Sequence, residues 1–136
     1  QMTTPTTLVG WEVCIENPIS YDWYSNVLDK IKTKCNEFRR NINKHNPHKR
    51  PTGYVCCDEL LMAVAIWGNE IVTEDIDKPV KVVLSGDCRG MLLTDMRRRI
   101  SNFEYCPEGY RRIDIVTKVN TEKFMEKMYS AFSSLP

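Results

Sequence analysis

Hydrophobic and polar residues follow each other in the first part of the chain in a way that predicts one strand and one long helix. From Leu8 to Glu16 the apolar side chains fall loosely on every second position, which predicts a strand that ends at the following Asn-Pro pair. From Tyr24 to Ile42 they recur every three or four positions with basic residues between them, which predicts an amphipathic helix. Either Ser20 or Asp22 can cap the start of that helix.

A second helix is predicted around the longest apolar run of the chain, Leu60–Trp67. Its Ala, Leu and Met content favours a buried helix over a strand, with Asp58 as the N-cap and Gly68 at the C-cap position. The run has eight residues, far fewer than the roughly 20 that a membrane-spanning helix needs. Residues 1–7 lack the basic and apolar regions of a signal peptide, so none is expected there.

The second half of the chain predicts several short strands and a closing helix. Strand patterns occupy Val80–Leu84, Arg89–Met96 and Tyr110–Val119. Helices that are separated from a run of short strands with tight turns are typical of an α+β fold. We therefore expect a single compact domain over residues 8–136, with a mostly antiparallel sheet packed against two to three helices. A flexible lead-in over residues 1–7 precedes it.

The apolar faces of these predicted elements identify a candidate core. A chain of 136 residues can bury about two-thirds of its unfolded surface, which is enough for a substantial core. The residues expected to be largely buried are Val27, Leu28, Ile31, Phe38, Leu61, Val64, Ile66, Ile113, Ile115, Phe124 and Phe132.

The cysteine and histidine patterns argue against a metal site and against nucleophilic catalysis. The six cysteines are scattered without a C-x-x-C pair, so we expect reduced thiols and neither a zinc site nor a disulfide framework. Both histidines, His45 and His48, lie in one basic loop, where the flanking charges repel a cation and no base sits on a rigid element. The segment Ser85–Gly90 also lacks the pattern of a phosphate-binding loop. These observations predict a protein that is not an enzyme and holds no metal or other cofactor.

A net charge of +1 hides a strong separation of charge along the chain. Residues 30–50 hold eight Lys or Arg and one Glu, whereas residues 58–77 hold six Asp or Glu and no Lys or Arg. Such asymmetry suits docking on the phosphates of RNA or anionic lipid, or head-to-tail association of copies, although charged side chains can also simply keep helix faces soluble. The candidate polyanion contacts are Lys44, Lys49, Arg50, Arg97, Arg98 and Arg99. The candidate self-association residues are Glu70, Glu74, Asp75 and Asp77, which lack the spacing of a calcium-binding loop.

The order of the predicted elements and several short motifs resembles the globular core of rhabdovirus matrix proteins, the vesiculovirus one above all. A strand, WEVCIENPI, leads to a helix that begins near Tyr21–Ser25, and Lys49-Arg50-Pro51 precedes an apolar segment. A motif built on Cys88-Arg89-Gly90 precedes Met91–Arg99, and the end combines RRIDIVTKV with EKFMEKMYSAFSS. The likeness spans Trp11–Leu135 and lies in shared order, not in continuous identity.

The resemblance implies a non-enzymatic viral structural protein that self-associates, condenses the ribonucleoprotein and promotes budding. Its implied partners are copies of itself, the viral nucleocapsid and the anionic inner leaflet, with no small-molecule substrate. The implied location is the virion beneath the envelope, the host cytoplasm and the cytoplasmic face of host membranes, with the nucleus left open. The proline-based budding motifs PPxY and PTAP do not occur in the sequence. A trimmed N-terminal arm, or a divergent member of the family such as a plant-infecting one, would account for their absence. The alternative is a cellular α+β interaction module that binds an acidic partner or RNA without lattice assembly.

Overall fold

The first half of the chain forms mainly short helices, and the second half forms most of the main sheet. The computed structural model describes residues 4–43, 49–50, 53–96 and 106–134. In chain order the elements are β1 (Thr7–Val9), α1 (Trp11–Glu16), α2 (Tyr21–Asn26), a 3-10 turn (Leu28–Lys30), α3 (Lys34–Asn43), β2 (Lys49–Arg50), β3 (Gly53–Tyr54), α4 (Cys57–Ile71), β4 (Val72–Val82), β5 (Leu92–Thr94), β6 (Arg111–Val119) and α5 (Thr121–Ser134). Within these described ranges, no helix has both the length and the hydrophobicity needed to cross a membrane.

A four-stranded mixed sheet in the order β1-β6-β4-β5 forms one layer of the fold. β4 and β6 are antiparallel and pair over most of their length, from Val72 opposite Val119 to Val80 opposite Arg111. β5 adds to β4 in the antiparallel direction, whereas β1 pairs with β6 in the parallel direction. The predicted single α+β domain with a mostly antiparallel sheet is therefore confirmed.

Helix α4 has two apolar faces and buries one of them. The buried residues of α4 are Leu60, Ala63, Val64 and Ile71. They recur at helical spacing and join a core cluster that includes Val116 of β6 and Phe124 of α5. The other face carries Leu61 and Ile66, whose side chains are 51% and 61% exposed. Because the predicted run is apolar all round, its pattern alone could not tell which face enters the core.

The predicted core is confirmed in part. Leu28, Val64 and Phe124 are buried as expected. The prediction is wrong for Phe38, which is 69% exposed, and for Leu61 and Ile66 on the open face of α4. The remaining predicted core residues are half-buried, and these are Val27, Ile31, Ile113, Ile115 and Phe132.

The single long helix expected from Tyr24 to Ile42 is wrong, because the chain forms α2, the 3-10 turn and α3 in its place. Thr33 directly precedes α3, and its Oγ1 caps the helix by accepting a hydrogen bond from the backbone N–H of Asn36 at 3.2 Å. The side-chain amide of Asn36 donates to the carbonyls of Leu28 and Ile31 at 2.8 and 2.9 Å. The Leu28 carbonyl also accepts a hydrogen bond from the Ile31 N–H at 3.2 Å within the 3-10 turn, so Asn36 adds a second bond there and supplies a side-chain partner to the Ile31 carbonyl.

Other boundaries also differ from the prediction. The expected strand over Leu8–Glu16 is wrong for most of its length, since Gly10 follows β1 directly and acts as the N-cap of α1. Ser20 caps α2 as expected, with its Oγ accepting a hydrogen bond from the N–H of Trp23 at 3.2 Å. The predicted strand over Tyr110–Val119 is confirmed by β6.

Helix α4 passes directly into β4. Ile71 is the last residue of the helix and Val72 is the first residue of the strand. Gly68, expected at the C-cap position, lies inside the final turn, where its carbonyl accepts a hydrogen bond from the Val72 N–H. The backbone of Trp67 is not helical, with φ −125° and ψ 28°, so the helix is kinked just before this final turn.

Candidate functional site

A groove of about 530 Å³ lies between α3, α4 and α5. Aromatic side chains from five elements line it, and these are Trp11 of α1, Phe38 of α3, Tyr54 of β3, Trp67 of α4, and Phe124 and Phe132 of α5. The open apolar face of α4, including Ile66, forms part of one wall. The volume falls within the range of small-molecule binding sites, which are mostly apolar with a few polar groups.

The first turn of α4 brings two carboxylates to this groove. Asp58 and Glu59 both line it, Asp58 being exposed and Glu59 half-buried. The expected role of Asp58 as an N-cap is wrong, because the helix begins at Cys57 and its N-cap is Cys56, which makes no capping hydrogen bond through its side chain. Carboxylates in a first helical turn are stabilised by the partial positive charge of the free N–H groups. One edge of the groove is therefore acidic, and the free N–H groups at the start of α4 stabilise its two carboxylates.

A buried cation, Arg39 of α3, lies against the same groove. Its Nε donates to the Asn36 side-chain oxygen at 2.6 Å, and its other nitrogens donate to the Tyr24 hydroxyl and the Asp29 carboxylate. The guanidinium also lies over the rings of Tyr24 and Phe132, 4.6 and 5.5 Å from their centroids. These contacts compensate a buried charge and fix the position of α3.

Tyr54 is held in the groove by a tight approach of two backbone segments. Its N–H donates to the Ile19 carbonyl at 2.7 Å, and its carbonyl accepts from the Ile19 N–H at 2.9 Å. The preceding Gly53 has φ +141°, and a Cβ there would lie 2.5 Å from the Ile19 carbonyl oxygen, so only glycine fits. The Tyr54 ring stacks on Tyr24 with centroids 4.3 Å apart, and burial raises the pKa of its hydroxyl.

Three thiols cluster where α1 meets the start of α4. Cys14 and Cys56 belong to the buried core cluster and Cys57 packs against it, while the Cys14 thiol donates to the Gly10 carbonyl with Sγ 3.6 Å from the oxygen. Burial raises the pKa of Cys14 and Cys56, and burial, the neighbouring Cys14 thiol and nearby carboxylates together raise the pKa of Cys57 to about 12. The three side chains are therefore neutral thiols at physiological pH. Across the ranges that the structure describes, no group of three or more His, Cys, Asp or Glu side chains is placed to hold a metal ion.

The basic residues predicted to contact a polyanion are mostly not described. Lys44, Arg97, Arg98 and Arg99 lie outside the described residues, as do His45 and His48. Lys49 and Arg50 form β2, which pairs with β3 in a separate two-stranded ribbon. Their role as polyanion contacts stays a prediction.

The acidic residues predicted to mediate self-association lie at the end of α4 and along β4, not in the loop expected from the sequence. Three of them form ion pairs within the chain: Glu70 with Lys127 at 2.7 Å, Glu74 with Lys118 at 2.6 Å and Asp77 with Arg112 at 2.8 Å. Lys118 holds the pKa of Glu74 below its usual range. Asp75 is exposed and lies opposite Val116 in the sheet. Their role in self-association likewise stays a prediction.

The sequence interpretation missed the groove because its parts are distant along the chain. Asp58 and Glu59 were visible as two acids before an apolar run, but that pattern equally indicates a helix start. Phe38 and Ile66 were assigned to the core, although they line an open surface. A run that is apolar on more than one helical face was the signal that could have indicated a second surface on α4.

The family model described as inosine-uridine preferring nucleoside hydrolase matches residues 1–126. The chain belongs to this family. Among solved structures, the fold is similar to that of an inosine-guanosine nucleoside hydrolase, with a TM-score of 0.75 and 23% identity over 98% of this chain. The chain spans 40% of the length of that structure. No curated protein matches the chain.

Membership of the nucleoside hydrolase family corrects the functional predictions made from the sequence. The rhabdovirus matrix resemblance is wrong, and with it the viral structural role, the nucleocapsid partner and the absence of a small-molecule substrate. The expectation that the protein is not an enzyme is wrong too, since the family is one of hydrolases. The interaction module offered as the alternative has no support either. Shared order of short elements is weak grounds for a family, because many unrelated α+β domains have similar orders.

Proposed function

We propose that this protein binds a nucleoside in the groove between α3, α4 and α5 and takes part in hydrolysis of its N-glycosidic bond. The family description supports this class of substrate. The groove volume of about 530 Å³ is adequate for a ligand of nucleoside size. Its aromatic walls suit a nucleobase, since stacking of a base on an aromatic ring contributes about 1–3 kcal/mol.

The observation that carries the proposal is the pair of carboxylates at the aromatic groove. Hydrolysis breaks the bond between the ribose C1′ atom and the base nitrogen and adds water at C1′, and the departing base takes up a proton from solvent. By analogy with glycoside hydrolysis the transition state places positive charge on the sugar ring. Asp58, which is exposed at the groove, takes the proton from the attacking water. Both Asp58 and Glu59 stabilise the developing positive charge, and Glu59 accepts hydrogen bonds from ribose hydroxyls.

The apolar surroundings strengthen this arrangement. Trp11 and Tyr54 line the groove together with the two acids. Apolar walls lower the local dielectric constant, so the half-buried Glu59 carboxylate attracts positive charge on the sugar more strongly than it would in bulk water. In this proposal the base stacks on aromatic side chains of the groove and the ribose lies beside Asp58 and Glu59.

The test compares release of free base from inosine and uridine by the purified protein and two variants. Asp58→Asn removes the proposed base, and we expect kcat/KM to fall by about 10²–10⁴-fold. Asp114→Asn makes the same chemical change at an exposed position of β6 and should leave the rate unchanged. Nucleoside binding, followed by tryptophan fluorescence, separates the two parts of the proposal because Trp11 and Trp67 line the groove. Absence of both binding and hydrolysis in the wild type rejects the function, and an unchanged Asp58→Asn rate rejects the site.

A further inference from the structure

The Tyr54 side chain, which lines the groove, carries a polar hydroxyl group in addition to its aromatic ring. Tyr54 is 5% exposed. Among the residues that the structure describes, its hydroxyl is the only buried side-chain nitrogen or oxygen without a hydrogen-bond partner. Buried polar groups in folded proteins are nearly always hydrogen-bonded, so this exception in the wall of a ligand-sized groove points to a partner that the ligand supplies.

We propose that the Tyr54 hydroxyl donates a hydrogen bond to an acceptor atom on the edge of the nucleobase and thereby helps to select the ligand. This inference rests on the proposed function, because it concerns the same groove and the same class of ligand. A buried hydroxyl that finds no partner within the protein has lost its hydrogen bonds to water, which destabilises the ligand-free state. A base that supplies the missing acceptor removes this penalty, so the hydrogen bond favours the bound state.

The fold fixes the Tyr54 side chain in the position that leaves its hydroxyl unsatisfied. The backbone of Tyr54 exchanges two hydrogen bonds with Ile19, at 2.7 and 2.9 Å. Its ring stacks on Tyr24 with an interplanar angle of 13°, and the Tyr24 hydroxyl accepts a hydrogen bond from the Arg39 guanidinium. Rotation of the Tyr54 ring towards another partner would break the stack. The hydroxyl is therefore held in place for a ligand, and binding does not have to order it.

The charged side chains of the groove indicate which part of a nucleoside meets the hydroxyl. The carboxylates of Asp58 and Glu59 are acceptors, so they suit the ribose hydroxyls, which can donate. Arg39 also lines the groove, and its positive charge favours an electron-rich atom such as a carbonyl oxygen or a ring nitrogen of the base. Burial raises the pKa of the Tyr54 hydroxyl, so at neutral pH it keeps its proton and donates a hydrogen bond without transferring the proton.

Access to the hydroxyl requires a small rearrangement of the groove. Water does not reach the Tyr54 hydroxyl in the ligand-free protein, so a base contacts it only after side chains around it rotate. Phe38 and Met62 line the same groove and are 69% and 59% exposed. Exposed side chains change rotamer within nanoseconds, and a Met side chain is especially adaptable. The groove can therefore adjust to a base while the Tyr54 backbone stays in place.

The experiment compares the wild type with Tyr54→Phe, which removes the hydroxyl and keeps the ring. Calorimetry measures the binding of hypoxanthine, a free base that carries acceptor atoms and has no glycosidic bond to hydrolyse. We expect Tyr54→Phe to bind hypoxanthine about 3–10-fold more weakly, which is the usual effect of one neutral hydrogen bond. Indole is the matched probe, because it is a flat bicyclic ring of similar size without an acceptor atom in its plane. The two proteins should bind indole equally.

Unfolding of the ligand-free protein gives an independent readout. Removal of an unsatisfied buried hydroxyl costs no hydrogen bond, so the melting temperature of Tyr54→Phe should equal or exceed that of the wild type. Tyr24→Phe makes the same change where the hydroxyl accepts from Arg39, and it should lower the melting temperature by about 3–8 °C. Tyr129→Phe removes a hydroxyl from an exposed side chain of α5 that does not line the groove, and it should change neither stability nor binding.

The outcomes separate this proposal from the proposed hydrolysis. Equal affinity of the wild type and Tyr54→Phe for hypoxanthine overturns the role of the hydroxyl, as does a wild type that does not bind hypoxanthine. A lower melting temperature of ligand-free Tyr54→Phe also overturns it, since the hydroxyl would then have a partner within the protein. A wild type that binds hypoxanthine more tightly than Tyr54→Phe but hydrolyses neither inosine nor uridine rejects the hydrolysis and supports base recognition by Tyr54.

Discussion

The guanidinium of Arg39 and the carboxylate of Asp29 form an ion pair in which Nη2 and Oδ1 are 2.6 Å apart. The Arg39 side chain in this pair is 6% exposed, and that of Asp29 is 37% exposed. The contact joins the 3-10 turn after α2 to the middle of α3. It therefore fixes the helix that forms one side of the groove.

Replacement of Asp29 by Ala should destabilise the protein, because it leaves a buried guanidinium without its counter-charge. Complete loss of a partner in a buried pair costs about 3–5 kcal/mol, and the partial exposure of Asp29 reduces our expectation to about 1–3 kcal/mol. Urea denaturation measures the free energy of unfolding. Asp77→Ala is the control, since it breaks the exposed pair with Arg112 and should cost less than about 1 kcal/mol. Equal losses in the two variants would show that Arg39 does not depend on Asp29.

Replacement of Gly53 by Ala should be more harmful than the same change at Gly86. Both glycines have positive φ, +141° and +76°, but only at Gly53 would the new Cβ meet backbone, the Ile19 carbonyl oxygen, at 2.5 Å. We expect Gly53→Ala to lower the free energy of unfolding by about 2–5 kcal/mol. Gly86→Ala has open space around it and should cost about 1–2 kcal/mol from backbone strain alone. Thermal and urea unfolding of the two variants make the comparison, and a ranking in the opposite order contradicts the close approach of Gly53 to Ile19.

The raised pKa of Cys57 predicts alkylation that is slow at neutral pH and accelerates with pH. The thiolate is the reactive form, and a pKa near 12, against an ordinary value of 9.0, leaves little thiolate at pH 8. The carboxylates of Asp58 and Glu59 and the neighbouring Cys14 thiol act in the same direction as burial. The rate at Cys57 should rise about tenfold per pH unit from pH 8 to pH 10, because the thiolate fraction does so below the pKa.

Site-resolved mass spectrometry after short exposure to iodoacetamide measures this rate, and the exposed Cys88 provides an internal comparison. The Asp58→Asn variant removes one of the charges that disfavour the thiolate, so alkylation of Cys57 should become faster at a given pH. A Cys57 rate that is independent of pH, or faster than that of Cys88 at pH 8, would contradict the neutral thiol.

The elements that could be predicted from the sequence are those with a long, regular pattern. β6 alternates over a stretch long enough to exclude a helix, and α4 was recognised from its Ala, Leu and Met content. The strand predicted after Gly10 was wrong because a loose alternation of a few residues fits either a strand or a short helix. The break before α3 was not predicted because it depends on Thr33 and Asn36. Their side-chain hydrogen bonds compete with a continuous helix and leave no periodic signal in the sequence.

The candidate site was beyond a sequence-only interpretation for a different reason. Its walls come from α1, β3, α3, α4 and α5, so no local spacing indicates the groove. Asp58 and Glu59 were correctly placed near a helix start, but a carboxylate there is usually explained by the helix dipole. The helical pattern around Phe38 could not show that its side chain is exposed. Periodicity identifies the apolar face of a helix but does not show whether another part of the protein covers that face.

The direct junction between α4 and β4 couples the direction of the helix to the direction of the strand that follows it. With no intervening loop to absorb strain, a change in the direction of β4 is transmitted to α4 at Ile71, modified only by the bend at Trp67. Fifteen residues of helix extend about 22 Å, so a tilt of roughly 5° at Ile71 would displace the far end, where Asp58 lies, by about 2 Å. Displacements of about 1 Å already matter for catalytic groups. Substitutions along β4 can therefore change the alignment of the groove carboxylates from the opposite end of the helix, without touching a ligand.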